Sequence, residues 1–430
     1  MVDILLIGAT GFCGRHAARY ILEHPQRSKF TVGLAARSRS KLLSIGLPVD
    51  DTVQIFELDI LDERAVESAV KQAKVVLNCV GPFWHYGTPV VLACARNGIH
   101  YVDITGETPW ILDIIRKFDY LATKTHAIIV PSCGIDSVPA DISVHLASQT
   151  LAHAPLGTST TSAALHGGVP TGTIASFLAV FEDVPLHLLL FSAHDWSLSP
   201  VPGARSPRPA LVYRLGPGSR EVGGVAVFNR VNRALVQRTA GLREYARREA
   251  RLCGGGAGAA GCSGDPACYG PAFTYTEFMP TGNAVSACVL SSVIGLVFAT
   301  LTFIAPVRWV FKRLMMLTSS VPADHTLERG RMKYVNVTAS DEPSPRYAKT
   351  VIKGRGDPGT LLTAVMVVES ALTLLLDELP PLAARGGVLT PMTALGDGLI
   401  RRLRANGRIE IETAVVGSPD DDVEESKKTR

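Results

Sequence analysis

Apolar residues along the N-terminal part of the chain come in short runs, separated by stretches with helical spacing. Residues 3–7 (Asp-Ile-Leu-Leu-Ile) read as a buried parallel strand, and the pattern turns helical from Phe12 to about Glu23. A second apolar run, Phe30 to Ala36, is followed by others at about 53–58, 74–80, 100–104 and 127–131, which alternate with helical stretches near 62–72, 87–97 and 109–124. Strands alternating with helices of this length predict right-handed crossovers and a doubly wound parallel sheet, a Rossmann domain over residues 1–150. Residues 151–416 read as a second α/β domain, with strands near 331–339 and 346–353 and an apolar helix at about 360–376. Within it, about 185–270, including the glycine run Gly254–Gly261, is treated as an insertion or loop and not as a site. Residues 417–430 are a charged tail expected to stay disordered.

A different pattern occupies residues 278–307, which contain no charge. Between 284 and 305, 16 of 22 residues are apolar, and as a helix this piece would extend roughly 33 Å, enough for a bilayer core. Trp309, Phe311, Arg308, Lys312 and Arg313 follow, the mixture of rings and cations found at lipid interfaces. A single span would divide the second domain across a membrane. A hairpin turning near Gly295, or a helix lying in one leaflet, would keep the whole chain on one side; a buried core helix is the alternative.

The turn between the first strand and helix is Gly8-Ala-Thr10-Gly11-Phe12-Cys-Gly14. Glycines at this spacing permit a tight turn, a close backbone approach to a pyrophosphate and close packing of helix on sheet, while the helix N-terminus presents N–H groups to the phosphates. The second strand ends in Arg37-Ser38-Arg39, where an NAD site would carry an acid for the ribose 2′-hydroxyl, and there is no Asp or Glu between Glu23 and Asp50. Guanidinium forks suit a 2′-phosphate, so the expected cofactor is NADP. Asp59, after the third strand, is placed for the adenine amino group or for capping the next helix. Cys79, Val80 and Gly81, after the fourth strand, fall at the carboxyl edge where ligands of such sheets bind.

The chain has 430 residues, 47% of them hydrophobic, enough for two or three domains with substantial cores. The net charge of +4 is spread along it, which argues against a nucleic-acid partner. Eight cysteines show no C-x-x-C pair and no zinc-like spacing, so they are expected to be reduced thiols with no metal. Met1 runs straight into the first strand, and no cleavable signal or transit peptide is expected.

Further motifs make the chain recognisable: Asn78-Cys-Val-Gly-Pro-Phe83, Tyr101-Val-Asp-Ile-Thr-Gly-Glu107, Cys133-Gly-Ile-Asp-Ser-Val-Pro139 and Gly167-Gly-Val-Pro-Thr-Gly-Thr173, then Gly270-Pro-Ala-Phe-Thr-Tyr-Thr-Glu277, Gly356-Asp-Pro-Gly359 and Gly387-Val-Leu-Thr-Pro391. In this order and nearly end to end, the sequence resembles the saccharopine dehydrogenase-like oxidoreductases, the branch that includes mycobacterial trans-acting enoyl reductases. The resemblance implies a second domain that covers the nicotinamide and forms the substrate pocket, and it supplies no catalytic residue. Relatives near the true saccharopine reductases handle amino-acid substrates and the enoyl reductases acyl chains; the apolar segment, which would bring the site to substrates in a lipid phase, favours an NADP-dependent reductase of a lipid-linked or acyl substrate. An NADP-binding interaction protein without turnover and an amino-acid dehydrogenase of the saccharopine type are the alternatives. Relatives of eukaryotic type are associated with lipid droplets, which together with residues 284–313 suggests the cytosolic face of a droplet, of the endoplasmic reticulum or of mitochondria.

Candidate catalytic groups are few. Tyr120 and Lys124 match the Y-x-x-x-K of short-chain dehydrogenases and would share a helix face. Asp136 and Ser137 follow a strand end, where they would meet a reacting group or cap the next helix. Tyr86, Tyr275 and Glu277 are further proton donors without a predicted place.

Overall fold

In a computed structural model of the chain, residues 1–135, 137–168, 171–216, 219–252, 268–318 and 324–417 are described. The N-terminal apolar runs become parallel strands: β1 (Val2–Ile7), β2 (Val32–Ala36), β3 (Val53–Glu57), β4 (Ala73–Asn78), β5 (His100–Asp103) and β6 (Ile128–Val130). Between and after them lie α1 (Phe12–Leu22), α2 (Arg39–Ser44), α3 (Glu63–Val70), α4 (Phe83–Asn97), α5 (Thr108–Thr125) and α6 (Val138–Thr150). Ile4, Leu5 and Leu6 are all fully buried, so β1 is covered on both faces and its sequence shows no alternation. Local chemistry sets several boundaries: Asp62 caps α3 by accepting from the N–H groups of Arg64 and Ala65, and Gly98 ends α4 at φ 69°. The start of α4 is set from a distance. Expected near residue 87, the helix begins at Phe83 because the Glu107 carboxylate accepts the N–H groups of Phe83 (2.8 Å) and Trp84 (2.7 Å).

The second sheet begins with β7 (Leu156–His166), followed by α7 (Thr171–Glu182), α8 (Leu186–Ser192), β8 (Tyr213–Arg214), β9 (Val222–Val225) and α9 (Asn229–Leu252). The stretch 185–270, read above as an insertion or loop, thus holds a 24-residue helix, while its glycine run falls outside the described residues. Among the arginines of this helix, Arg238 is only 2% exposed. Next come β10 (Thr274–Thr281), α10 (Ala284–Phe303), α11 (Ala305–Thr318), the short α12 (Asp324–Glu328), β11 (Arg331–Ser340) and β12 (Tyr347–Arg355). No hairpin forms near Gly295. Instead α10 runs unbroken from a capping box at Asn283 and Ser286 to Ile304, and Arg308 donates to the carbonyls of Leu301 (2.9 Å) and Thr302 (3.0 Å) at its end. Its long exposed apolar face also sets aside the buried core helix.

The chain then returns to the first sheet. A π-helical turn at Pro358–Leu362 leads into α13 (Thr363–Leu376), which packs against α1, β4 and β5. β13 (Gly387–Val388) pairs parallel with β6, and after α14 (Pro391–Ala394) and α15 (Gly396–Ala405) the strand β14 (Ile409–Val416) closes the second sheet beside β12. The strand orders are β13-β6-β5-β4-β1-β2-β3 and β14-β12-β11-β7-β10-β9-β8. From Ser418 onward the charged tail lies outside the described residues.

Buried Arg238 fastens α9 to this returning segment: its guanidinium donates to the carbonyls of Leu198 and Val388 and pairs with Asp119 at 3.4 Å. Replacing Arg238 by methionine leaves both carbonyls without their donor. The expected loss of unfolding free energy is about 3 kcal/mol, read as a lower thermal midpoint; an unchanged midpoint would show that the clamp carries no stability.

Candidate functional site

A cleft of about 1010 Å³ lies between the carboxyl ends of the first sheet's strands and one face of the second sheet. At its nucleotide end the backbone is shaped by missing side chains. Gly8 adopts φ +89°, and a Cβ there would lie 2.7 Å from Val80 Cγ2; a Cβ at Gly14 would lie 2.0 Å from the Gly8 carbonyl oxygen. Gly11 caps α1 with no side-chain acceptor and no acid in the first turn, so the positive end of the helix faces the cleft. Gly8, Thr10, Gly11 and Phe12 line this end, joined by Arg37, Asp59, Cys79, Val80 and Gly81. Arg37 is exposed at the end of β2, free to swing toward a phosphate. Asp59 accepts the N–H of Leu61 (3.1 Å), and capping of α3 falls to Asp62 instead. Ser38 caps α2 by accepting from the Lys41 N–H (3.2 Å), while Arg39 starts that helix at the surface; neither lines the cleft. A glycine cradle, an uncapped helix N-terminus and a cation at the end of β2 fit NADP: the cradle for the diphosphate, Arg37 for the 2′-phosphate.

The opposite wall is made by the second sheet. Its face is covered by α6 and α9 where Tyr275, Phe273, Val144 and Val236 pack, and is left open further along β7 and β10. Ala163, Leu165, Glu277 and Met279 therefore line the cleft, two residues apart on each strand. Glu277, 1% exposed, accepts from the Tyr275 hydroxyl (2.9 Å) and the Asn232 amide (2.8 Å), and its backbone N–H donates to Asn229 (3.0 Å). Tyr275 in turn meets Thr161, whose hydroxyl accepts from Asn336 (2.9 Å), so the carboxyl is backed by a buried polar network. Burial and the neighbouring carboxyl push the Tyr275 hydroxyl well above its usual range.

A second acid, Glu107, also reaches the cleft, but its oxygens hold the first turn of α4; burial raises its pKa while the Phe83 and Trp84 N–H groups oppose the rise. Behind it Asp103 is pushed up to about 7 by burial, and accepts from Tyr101 (2.9 Å), Thr105 (2.9 Å) and Ser132 (2.8 Å).

Other sequence candidates go elsewhere. Tyr120 is 75% exposed on α5, with the Lys124 ammonium 5.4 Å from its ring centre, and neither lines the cleft. Their helix face points to solvent because the buried face of α5 is taken by Trp110, Ile111, Ile114 and Phe118. Asp136 lies outside the described residues. Ser137 precedes α6 without capping it, and its buried hydroxyl has no partner. Asp357, in the Gly356–Gly359 motif, accepts the N–H of Gly168 at 2.8 Å. Of the unplaced donors, Tyr86 lines the cleft and Tyr275 supports Glu277.

A family model for the saccharopine dehydrogenase NADP binding domain matches residues 4–128. Over 97% of its length the chain is 31% identical to a Mycobacterium tuberculosis protein named "Putative trans-acting enoyl reductase", of which it covers 98%. It is 28% identical to the trans-acting enoyl reductase of Mycobacterium bovis over 94% of this chain and 96% of that protein. Among solved structures, apo saccharopine dehydrogenase (L-Glu forming) from Saccharomyces cerevisiae superposes with a TM-score of 0.49 at 12% identity, covering 97% of this chain and 100% of that one.

The cradle and Arg37 set an expectation for affinity. The protein should bind NADPH more tightly than NADH, and Arg37→Ala should weaken NADPH by about 1.5–3 kcal/mol, the scale of a charge-assisted hydrogen bond, with little effect on NADH. Titration of both nucleotides against purified protein checks this; an equal loss for the two would place the 2′-phosphate away from Arg37.

Proposed function

The chain belongs to the saccharopine dehydrogenase-like family of NADP-binding oxidoreductases, and from that premise we propose that it reduces a lipid-linked or acyl substrate with NADPH at a membrane or lipid-droplet surface. The observation that carries the reading is the placement of Glu277: a buried carboxyl on an otherwise apolar stretch of wall, facing the edge of the nucleotide-binding sheet across the cleft. NADPH, when bound, supplies a hydride. Reduction of a double bond also takes up a proton, and we assign that role to the Glu277 carboxyl, which lines the cleft with Tyr275 and Asn232 holding its orientation. Apolar walls that include Ile104, Ile135, Ala163 and Met279 keep water from the reacting carbon.

The names of the relatives favour an enoyl or other acyl group as substrate. The charge of the cleft argues in the same direction: among its described lining residues the cations are Arg37 and Arg230, and Arg37 is assigned to the nucleotide. A saccharopine-type substrate with several carboxylates would call for more guanidinium forks than that.

Attachment to lipid is supported by α10 and α11. Along α10, Val285, Val289, Val293, Leu296 and Phe303 face outward, with Leu296 66% exposed, and α11 adds Trp309 at 64% and Val310. A surface helix that is apolar toward solvent as well as toward the protein needs a second apolar phase. Lys312 pairs with Glu182 on α7 at 2.7 Å, and Arg313 lies 6.0 Å from the Trp309 ring centre, a cation beside an interfacial aromatic.

Two measurements test the reading. Purified protein is expected to oxidise NADPH with enoyl or keto-acyl thioesters and not with saccharopine, and Gly11→Asp to abolish this. Glu277→Gln, which keeps the shape of the side chain, should lower kcat by about 10²–10⁴-fold with NADPH affinity unchanged; saccharopine-specific turnover would overturn the proposal, and tight NADPH binding without any turnover would favour an interaction protein. In flotation, the wild-type chain should rise with membranes or droplets, whereas Val293→Asp with Leu296→Asp should remain in the soluble fraction. Wild-type protein that floats with neither would remove the lipid attachment.

A further inference from the structure

The cleft does not end at Glu277. It continues beneath α10 and α11, where its wall is built by α7, α8 and the start of α9. Three rings meet there: Phe177 and Phe181 of α7 lie 5.0 Å apart, and Phe298 of α10 lies 5.6 and 5.8 Å from them, all in edge-on contact. All three line the cleft instead of filling it. Val180 and Thr302 stand in the same wall, and among the described residues of this end the charged one is Arg230, whose guanidinium lies 5.6 Å from the Phe298 ring centre. Burial holds the Arg230 pKa below its usual value.

Two physical features narrow what this extension accepts. The lining of the cleft runs from Gly8 and Gly11 at the nucleotide end to Phe298 and Phe311 beneath α10 and α11, so its far end is built by residues other than those of the phosphate cradle. The inner stripe of α10 that borders this room, at Phe298 and Thr302, lies on the same helix whose outer face is the exposed apolar row. One helix thus separates the cavity from whatever covers that row.

We propose that this extension is a binding channel for one hydrocarbon chain, which lies along the wall that α7 and α10 form, with its reducible end toward Glu277 and its other end toward α11. Edge-on phenyl rings and aliphatic side chains provide a wall that grips methylene groups by dispersion and excludes water; the Thr302 hydroxyl in it already donates to the Phe298 carbonyl (2.7 Å), and Arg230 is the charged donor at its edge. The channel rests on the reading of the protein as a reductase of acyl or lipid substrates, yet it concerns binding and not turnover.

The test is a fluorescence titration of the full chain in detergent-free buffer with dansylaminoundecanoic acid, followed by competition with butanoate, hexanoate, octanoate, decanoate, dodecanoate and tetradecanoate. Affinity is expected to rise about four-fold per added methylene until the chain fills the channel, and then to level off. Thr302→Trp and, from the other wall, Val180→Phe should move the levelling point to shorter chains, leaving butanoate and NADPH affinities unchanged; intact NADPH binding certifies the fold of each variant. No fatty acid bound by a protein that binds NADPH, or the same length dependence in both variants, would overturn the channel. Enoyl turnover without any length dependence would also overturn it while leaving the proposed reduction standing, and length-dependent binding without turnover would do the reverse.

Discussion

The close approach of α1 to the end of β1 is the constraint on which the rest of the molecule depends. It exists because Gly14 has no Cβ: one there would sit 2.0 Å from the carbonyl oxygen of Gly8. With the helix pulled in, its N-terminus opens on the cleft and its other side packs on α13, the helix that brings the C-terminal part of the chain back to the first sheet. The opening of the helix N-terminus on the cleft and the docking of the returning C-terminal segment are therefore two results of one steric allowance. A larger side chain at residue 14 would displace both together.

The second sheet contributes function through what it leaves uncovered. At one end β7 and β10 are packed under α6 and α9, and there the inward residues are apolar or hydrogen-bonded in pairs, as with Ser159 and Thr338 at 2.8 Å. Where those helices stop, the same face becomes the wall of the cleft. Glu277 lies at that border, with its backbone N–H bonded to Asn229 and its carboxyl to Asn232, both on α9. The helix that covers part of the face thus fixes the acid that borders the open part. A buried carboxyl without such partners would be costly, and the network removes much of that cost.

α10 is joined to this body along a narrow seam. Gly224 of β9 allows the approach, since a Cβ there would lie 2.7 Å from the carbonyl oxygen of Ala287, and Ser291 accepts the Val225 N–H (2.9 Å) while donating to the Leu211 carbonyl (2.7 Å). Small and polar residues thus occupy the seam, while larger apolar ones project to the cleft and outward. The helix owes its place to backbone-level contact and not to a thick layer of core, which is why so much apolar surface remains free.

By itself the sequence determined the parts whose physics is local. Period and glycine spacing settle β1, α1 and the succession of parallel strands up to β6, because a buried strand and a tight phosphate turn each leave a signature within a few residues. The apolar helix of residues 360–376 and the long uncharged helix at 284–305 were legible for the same reason. The tertiary structure decided what depends on partners far away along the chain. The start of α4 at Phe83 needs Glu107, and the burial of Arg238 needs carbonyls from residues 198 and 388. The solvent-facing place of Tyr120 and Lys124 depends on which face of α5 the core takes, although their spacing suits catalysis as well as any. Glu277 was visible as a proton donor, but residues 161, 232, 275 and 277 form a site only when two strands and a helix are brought together, and a hydrogen bond across such distances leaves no periodic trace in the sequence.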